Sequence, residues 1–414
     1  MSAWNPLINP CNPSINPMIN IPFAKPSIGE GEIAAVIEVL KSGWVSQGPK
    51  VAEFERAFAG YVGAEHACAV SNCTAALHLA LLALGVGVDD EVITVSHSFI
   101  ATANAIRYCS AKPIFVDIDP ETYNLDAARL ESAISNRTKA ILCVHQLGMP
   151  CDLPRIVKIA ARYGLRVVED AACGIGSEIR INGRWDKIGQ PHGDIACFSF
   201  HPRKVITTGE GGMLTTRDPE LDNNLRRLRQ HYMSVPDTAR HQSTQVIFED
   251  YQKLGFNYRM TDIQAAIGLE QLKRLPDLVG RRRELASRYR ALLSDIPGVI
   301  PPMEPEWARS TWQSYSVRLP EGKDQRRVMQ YMLDMGVSTR RGVMCAHRES
   351  AHPPGTWTCG TAYRGHICGP GRCPSLWHSE AAQDHTIILP LFPLLTFEQQ
   401  NQVVAALESA LVHR

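Results

Sequence analysis

Seven short apolar runs recur through the first half of this chain: 66–70 (HACAV), 91–95 (EVITV), 113–118 (PIFVDI), 139–144 (KAILCV), 166–169 (RVVE), 195–200 (IACFSF) and 212–216 (GMLTT). Segments with apolar residues at helical spacing, near 74–86, 99–109, 125–135 and 153–163, separate most of them. Runs this short and this apolar are buried on both faces. Strand and helix in alternation then select a largely parallel sheet covered by helices on both sides. The last two runs are joined by about a dozen residues without a helical pattern, so the seventh strand is expected to run antiparallel or to lie at an edge.

Around this block the pattern changes. Residues 1–20 repeat an Asn-Pro theme that blocks helix and ladder alike, and they read as a disordered or draped tail. Gly29 to Leu40 reads as a helix with Ile33, Val36, Ile37 and Leu40 on one face, and a second helix runs from about Pro49 to Tyr61. From Asp218 to about Leu293 the chain is mostly helical, broken at 255–259, with a new helix starting at Thr261-Asp262. Strand-like 314–319 and helix-like 324–335 and 396–412 follow. The expected organisation is a tail over 1–20, a large site-bearing domain over 21–290 and a smaller α+β domain over 291–414.

Composition narrows the function. With 43 Lys+Arg against 42 Asp+Glu the net charge is +1, which argues against nucleic acid or an anionic membrane held by bulk charge. The longest apolar stretch, Ala75 to Val88, is interrupted by His78 and is too short to span a bilayer. Cys68, Cys143 and Cys197 lie inside apolar runs and read as reduced core residues. With no basic n-region or apolar h-region at the start, the expected setting is soluble and cytoplasmic.

In a parallel sheet ligands sit at strand carboxyl ends, and three such ends carry suggestive residues. The first run leads into Ser71, Asn72, Cys73 and Thr74 and then a long apolar helix. That start would offer N–H groups to an anion, or be simply an N-cap. The run RVVE delivers Asp170, which could cap a helix, bind a cation or hold a protonated heterocyclic nitrogen. The Gly174-x-Gly176 pair beside it lacks a third glycine, since Ile179 stands there, and no GxxxxGK[ST] loop is present. Dinucleotide and P-loop readings are rejected. The sixth run presents Ser199 and Lys204 ahead of a turn containing Gly209, Gly211 and Gly212. An anion seat, a carboxylate and an amine together are what pyridoxal phosphate requires.

The segments IPFAKPSIGEGEI, SGWVSQGPKVAEFE, SNCTAALHLALLALGVG, VVEDAA, FSFHPRKVITTGEGGM and GFNYRMTDIQAAIGLEQL, with TRRGVMCAH and ILPLFP further on, resemble the DegT/StrS-type sugar aminotransferase family. The resemblance runs from about residue 21 to the C-terminus. It implies a fold type I transferase using pyridoxal phosphate, with a mostly parallel seven-stranded sheet and a smaller C-terminal α+β domain. It implies that Lys204 attaches the cofactor and shuttles protons, and that Asp170 pairs with the pyridine nitrogen. It places Asn72, Cys73, Thr74 and Ser199 at the phosphate, and Phe99 in a stack on the ring. Cys173 stands where many members carry His or Gln near the ring's phenolic oxygen. Asn257 matches an asparagine reaching the phosphate from a neighbouring subunit, which implies a homodimer with shared sites.

The implied reaction moves an amino group from a donor such as L-glutamate to a keto-sugar, expected to be nucleotide-linked, in amino-sugar, polysaccharide or secondary-metabolite biosynthesis. The Lys204 amine is expected to have a lowered pKa beside a cationic ring. Members that dehydrate carry histidine in place of the lysine, which Lys204 argues against. Two alternatives stand: amination of an aminocyclitol precursor or other cyclic ketone, and a non-catalytic cofactor- or sugar-binding regulator. The loop 345–378 holds Cys345, His347, Cys359, His366, Cys368, Cys373 and His378, but no CxxC pair, and no metal site is expected.

Overall fold

A computed structural model describes residues 20–235, 243–360, 368 and 371–413. The expected tail lies outside them except for Asn20. Ile21 is buried and its N–H donates to Gly336 O at 2.8 Å.

In chain order the elements are α1 (Glu30–Ser42), α2 (Pro49–Val62), β1 (His66–Val70), α3 (Cys73–Ala83), β2 (Glu91–Val95), α4 (Ala101–Tyr108), β3 (Lys112–Val116), α5 (Leu130–Ala133), β4 (Thr138–Val144), α6 (Leu153–Tyr163) and β5 (Arg166–Asp170). There follow β6 (Glu178–Ile181), β7 (Arg184–Lys187), β8 (Ile195–Ser199), β9 (Gly212–Thr216), α7 (Pro219–Leu228) and α8 (Asp262–Leu293). The chain continues with β10 (Ala308–Arg309), β11 (Tyr315–Arg318), α9 (Gln325–Asp334), β12 (Arg340–Arg341), β13 (Thr358–Cys359), α10 (Trp377–His385), β14 (Thr386–Leu389) and α11 (Phe397–Val412).

The main sheet has eight strands in the order β1-β9-β8-β5-β4-β2-β3-β13. The seven expected strands are all in it. The eighth, β13, comes from the 345–378 loop and pairs in parallel with β3. β9 is antiparallel to both β1 and β8, so it lies one strand in from the edge. Period-two alternation sorts the side chains. On β4, Ile141 and Cys143 face a core shared with Phe54 and Phe58 of α2, while Ala140 and Leu142 face one shared with Leu77 and Leu81 of α3. β6, β7 and β10 form a small sheet of their own, and β11, β14 and β12 another.

One expected face is reversed. On α1, Ile33, Ile37 and Leu40 are 47%, 45% and 54% exposed, whereas Glu32 is buried. The helix packs on α8 through Glu32, which accepts hydrogen bonds from Gln271 and Arg274. A periodicity read alone puts the apolar stripe inward; a buried carboxylate with two donors waiting on α8 turns the helix over. α8 itself serves two cores, with Leu269, Leu272 and Leu275 in the first and Leu285, Tyr289 and Leu293 in another built on residues 285–411 with Ile21 and Met149.

Candidate active site

The carboxyl ends of the main sheet open into a cavity of about 1080 Å³, closed from the other side by Gln313, Ser314 and the stretch Arg340 to Met344. Asn72, Cys73, Thr74, Phe99, Asp170, Cys173, Ser199 and Lys204 all line it. These residues come from four separate strand ends, and the sheet alone brings them together.

Asp170 ends β5 and is buried. Its Oδ2 accepts from Thr102 Oγ1 at 2.7 Å and its Oδ1 from Ala172 N at 3.1 Å. Both donors are neutral, and burial outweighs them, so the carboxyl sits above its usual range. Lys204 Nζ donates to Cys173 Sγ at 3.1 Å. Burial pulls the Lys204 ammonium down, but the Cys173 sulfur and the Asp170 carboxylate more than offset this, and the net direction is up. The protein's own groups thus hold the amine charged. The lowering expected for Lys204 belongs to the state with a cationic ring beside the amine; the Cys173 contact, which the sequence did not reveal, acts in the other direction.

The anion seat combines two readings that the sequence left open. Asn72 is the N-cap of α3, its Oδ1 accepting from Ala75 N at 2.8 Å. With that oxygen engaged, the first-turn N–H groups of Cys73 and Thr74 have no intrahelical partner, and both residues line the cavity. Gly212 is what permits this. A Cβ there would lie 2.6 Å from Asn72 C and O and 2.8 Å from Cys73 N. We expect Gly212→Ala to displace the start of α3 at a cost of about 1–3 kcal/mol, read as weakened pyridoxal phosphate retention on dialysis; undiminished retention would refute the cradle.

Phe99, 62% exposed, stands at the cavity wall and is no core aromatic. Asn257 is exposed, is absent from the lining of the cavity in its own chain, and bridges to Gln230. Sequence reading missed Thr102, which fixes Asp170 and is itself 2.7 Å from Ser98 Oγ. The spacing of Ser98 and Thr102, four apart on the way into α4, was the signal available. It also missed Arg203, Gln313, Arg340 and Arg341 at the cavity.

The model of the DegT/DnrJ/EryC1/StrS aminotransferase family matches residues 26–408. GDP-perosamine synthase of Caulobacter vibrioides is 39% identical over 95% of this chain and 98% of its own. The UDP-4-amino-4-deoxy-L-arabinose--oxoglutarate aminotransferase of Shewanella sediminis is 35% identical over 94% and 97%. Among solved structures, Spr1654 of Streptococcus pneumoniae in a PLP form superposes with a TM-score of 0.81 at 27% identity, covering 94% of this chain and 98% of that one.

The residues present fit that cofactor. A buried carboxylate with only neutral hydrogen-bond donors suits a cationic ring nitrogen, whose charge would favour the ionised form of Asp170. The uncapped N–H groups of α3 suit a phosphate, and Lys204 is the amine within the same cavity. The chain belongs to the DegT/DnrJ/EryC1/StrS aminotransferase family, as a fold type I aminotransferase whose cofactor is pyridoxal phosphate.

Proposed function

We propose that this enzyme transfers an amino group from L-glutamate to a nucleotide-linked keto-sugar. The observation that carries the reading is the cavity itself. It holds the cofactor residues at one side and Arg203, Arg340 and Arg341 around the rest, enough room and positive charge for a diphosphate-bearing sugar. The two relatives named for GDP- and UDP-linked sugars support the substrate class, and the oxoglutarate in the second name supports glutamate as donor.

When bound, pyridoxal phosphate supplies an electron-withdrawing ring that acidifies the C–H bond of the amine-bearing carbon. In the proposed assignment Lys204 Nζ attaches the cofactor, then takes and returns the proton at that carbon. Asp170 holds the ring nitrogen protonated, and Thr102 and Ala172 N fix the carboxylate's orientation. The Cys73 and Thr74 N–H groups, with the Thr74 and Ser199 hydroxyls, would hold the phosphate; Asn72 positions that helix start and Phe99 would pack on the cofactor. Cys173 Sγ orients Lys204.

Cys173 also sets the pH at which Lys204 loses its proton. A lysine raised above its usual value captures the cofactor's aldehyde only as pH climbs toward that raised value. Removing the sulfur should let burial dominate. We expect Cys173→Ala to shift the pH dependence of cofactor capture by the apoprotein toward lower pH, followed by absorbance; an unmoved profile contradicts the assignment.

A homodimer with shared sites is part of the proposal. The exposed stripe Ile33, Ile37 and Leu40 and the exposed Asn257 support it, and light scattering in solution tests it, a monomeric mass counting against it. A cytoplasmic setting is also proposed. The described cysteines are free thiols, which suits a reducing compartment, and cell fractionation tests it.

The substrate reading is tested by supplying L-glutamate and a panel of nucleoside-diphosphate keto-sugars, with mass spectrometry of the products. An aminated sugar nucleotide with stoichiometric 2-oxoglutarate is the expected result. Amination of a free cyclic ketone and of no sugar nucleotide would overturn it.

A further inference from the structure

We propose that Cys359, Cys368 and Cys373 bind a zinc ion that ties the 345–378 loop to the edge of the main sheet. The fold assembles these thiols from three places. Cys359 ends β13 and is paired with Phe115 of β3, Cys373 precedes the turn into α10, and Cys368 comes between them in sequence. Cys359 Sγ lies 3.4 Å from Cys368 Sγ, which is 3.0 Å from Cys373 Sγ, and all three sulfurs fall within 4.8 Å of one another. A tetrahedral zinc with bonds of about 2.3 Å sets its sulfurs about 3.8 Å apart, inside that span. The spacing rule that argued against a metal looks for a CxxC turn; here strand pairing replaces the turn.

The surroundings are built as a support. Glu380 accepts from Cys373 N at 2.6 Å and is itself held by His347 Nε2 at 3.1 Å and Arg348 at 3.0 Å. Arg348 also donates to Gly371 O at 3.1 Å. Fixed second partners of this kind orient ligands. Two of the other candidates, His347 and Cys345, are engaged elsewhere. His347 Nδ1 is 2.6 Å from Ser96 Oγ, so both its nitrogens are used, and Cys345 Sγ donates to Ser379 O at 3.1 Å. His366 lies outside the described residues. A fourth donor, water or protein, completes the tetrahedron.

The loop needs a staple. Among the described residues its packing core is small: Ala103, Phe115, Ala346, Trp357, Cys373 and Leu376. A long loop with so little apolar area to bury is the setting in which a structural metal supplies the missing stability. On binding, each of the three S–H groups gives its proton to solvent and forms a sulfur–metal bond, with no change in oxidation state. The loop's root reaches the active site, since Ala346 N donates to Ser96 O at 2.8 Å and Ser98 N to Met344 O at 3.1 Å. Val343 and Met344 line the cavity.

The test is elemental analysis of full-length protein purified without chelator, after incubation with zinc and gel filtration. About one zinc per chain is expected, released as a mercurial titrates the thiols, with a lower melting midpoint once it is gone. Cobalt loading should give sulfur-to-cobalt charge-transfer absorption, which reads ligation in wild-type protein even if variants fold poorly. Cys368→Ser should lose the metal. Zinc absent from the wild type, zinc retained by Cys368→Ser, or a Cys368–Cys373 disulfide found by mass spectrometry would each overturn the proposal.

Discussion

Lys204→Ala should lower amino transfer by at least about 10,000-fold, the upper end of what one positioned acid–base group supplies, because the same amine is also assigned the covalent attachment. The fold should survive. The Lys204 side chain bonds to Cys173 and belongs to no hydrophobic cluster, so its removal opens space at a cavity wall rather than in a core. Cofactor should still bind, held by the α3 start and Asp170, but without a covalent link. Release of 2-oxoglutarate from glutamate measures the loss, and a melting curve close to wild type shows that it is chemical. Residual turnover near the wild-type rate would move the catalytic role to another residue.

The second large effect is on stability. Glu55 of α2 is buried. Its Oε1 accepts from Ala69 N at 2.9 Å and from Arg229, and its Oε2 accepts from Arg226 at 2.6 Å. The two arginines also donate to Ala67 O and Ala69 O at 2.6 Å, so one cluster clamps edge strand β1 to α2 and α7. Glu55→Ala leaves the buried Arg229 without its counter-charge, and breaking such a pair costs about 3–5 kcal/mol. Burial by itself would raise the Glu55 carboxyl, but Arg229 and Arg226 overcome it and hold it below the usual carboxylate value. A depressed carboxylate contributes stability in full above its unfolded-state pKa and loses it as pH falls through the folded-state value. The gap between variant and wild type in urea unfolding should therefore be widest near neutral pH and narrow in acid. A neutral-pH gap below about 1 kcal/mol, the worth of a surface pair, would contradict the cluster's role.

Much of the fold was legible because its signal is local. The run Ala140 to Val144 is apolar at every position and too short for a typical helix, which suits a strand covered on both faces, and Ile141 and Cys143 do face one core while Ala140 and Leu142 face the other. Asp170 and Lys204 were legible because each follows a buried run directly, and a parallel sheet gathers such ends. What stayed hidden depends on contacts distant in sequence. The burial of Glu32 is decided by Gln271 and Arg274, some 240 residues away. Thr102 becomes a site residue only when β5 brings Asp170 to it. β13 is two residues long and exists only against β3, so no propensity marks it, and the thiols it helps assemble carry no CxxC spacing.

The central claim is that Lys204 carries the cofactor. Borohydride reduction of the loaded enzyme fixes the lysine–cofactor bond, and peptide mapping by mass spectrometry then locates it. A phosphopyridoxyl group is expected on the peptide containing Lys204 and on no other lysine. A label on a different lysine, or none in protein that retains the cofactor, would contradict it.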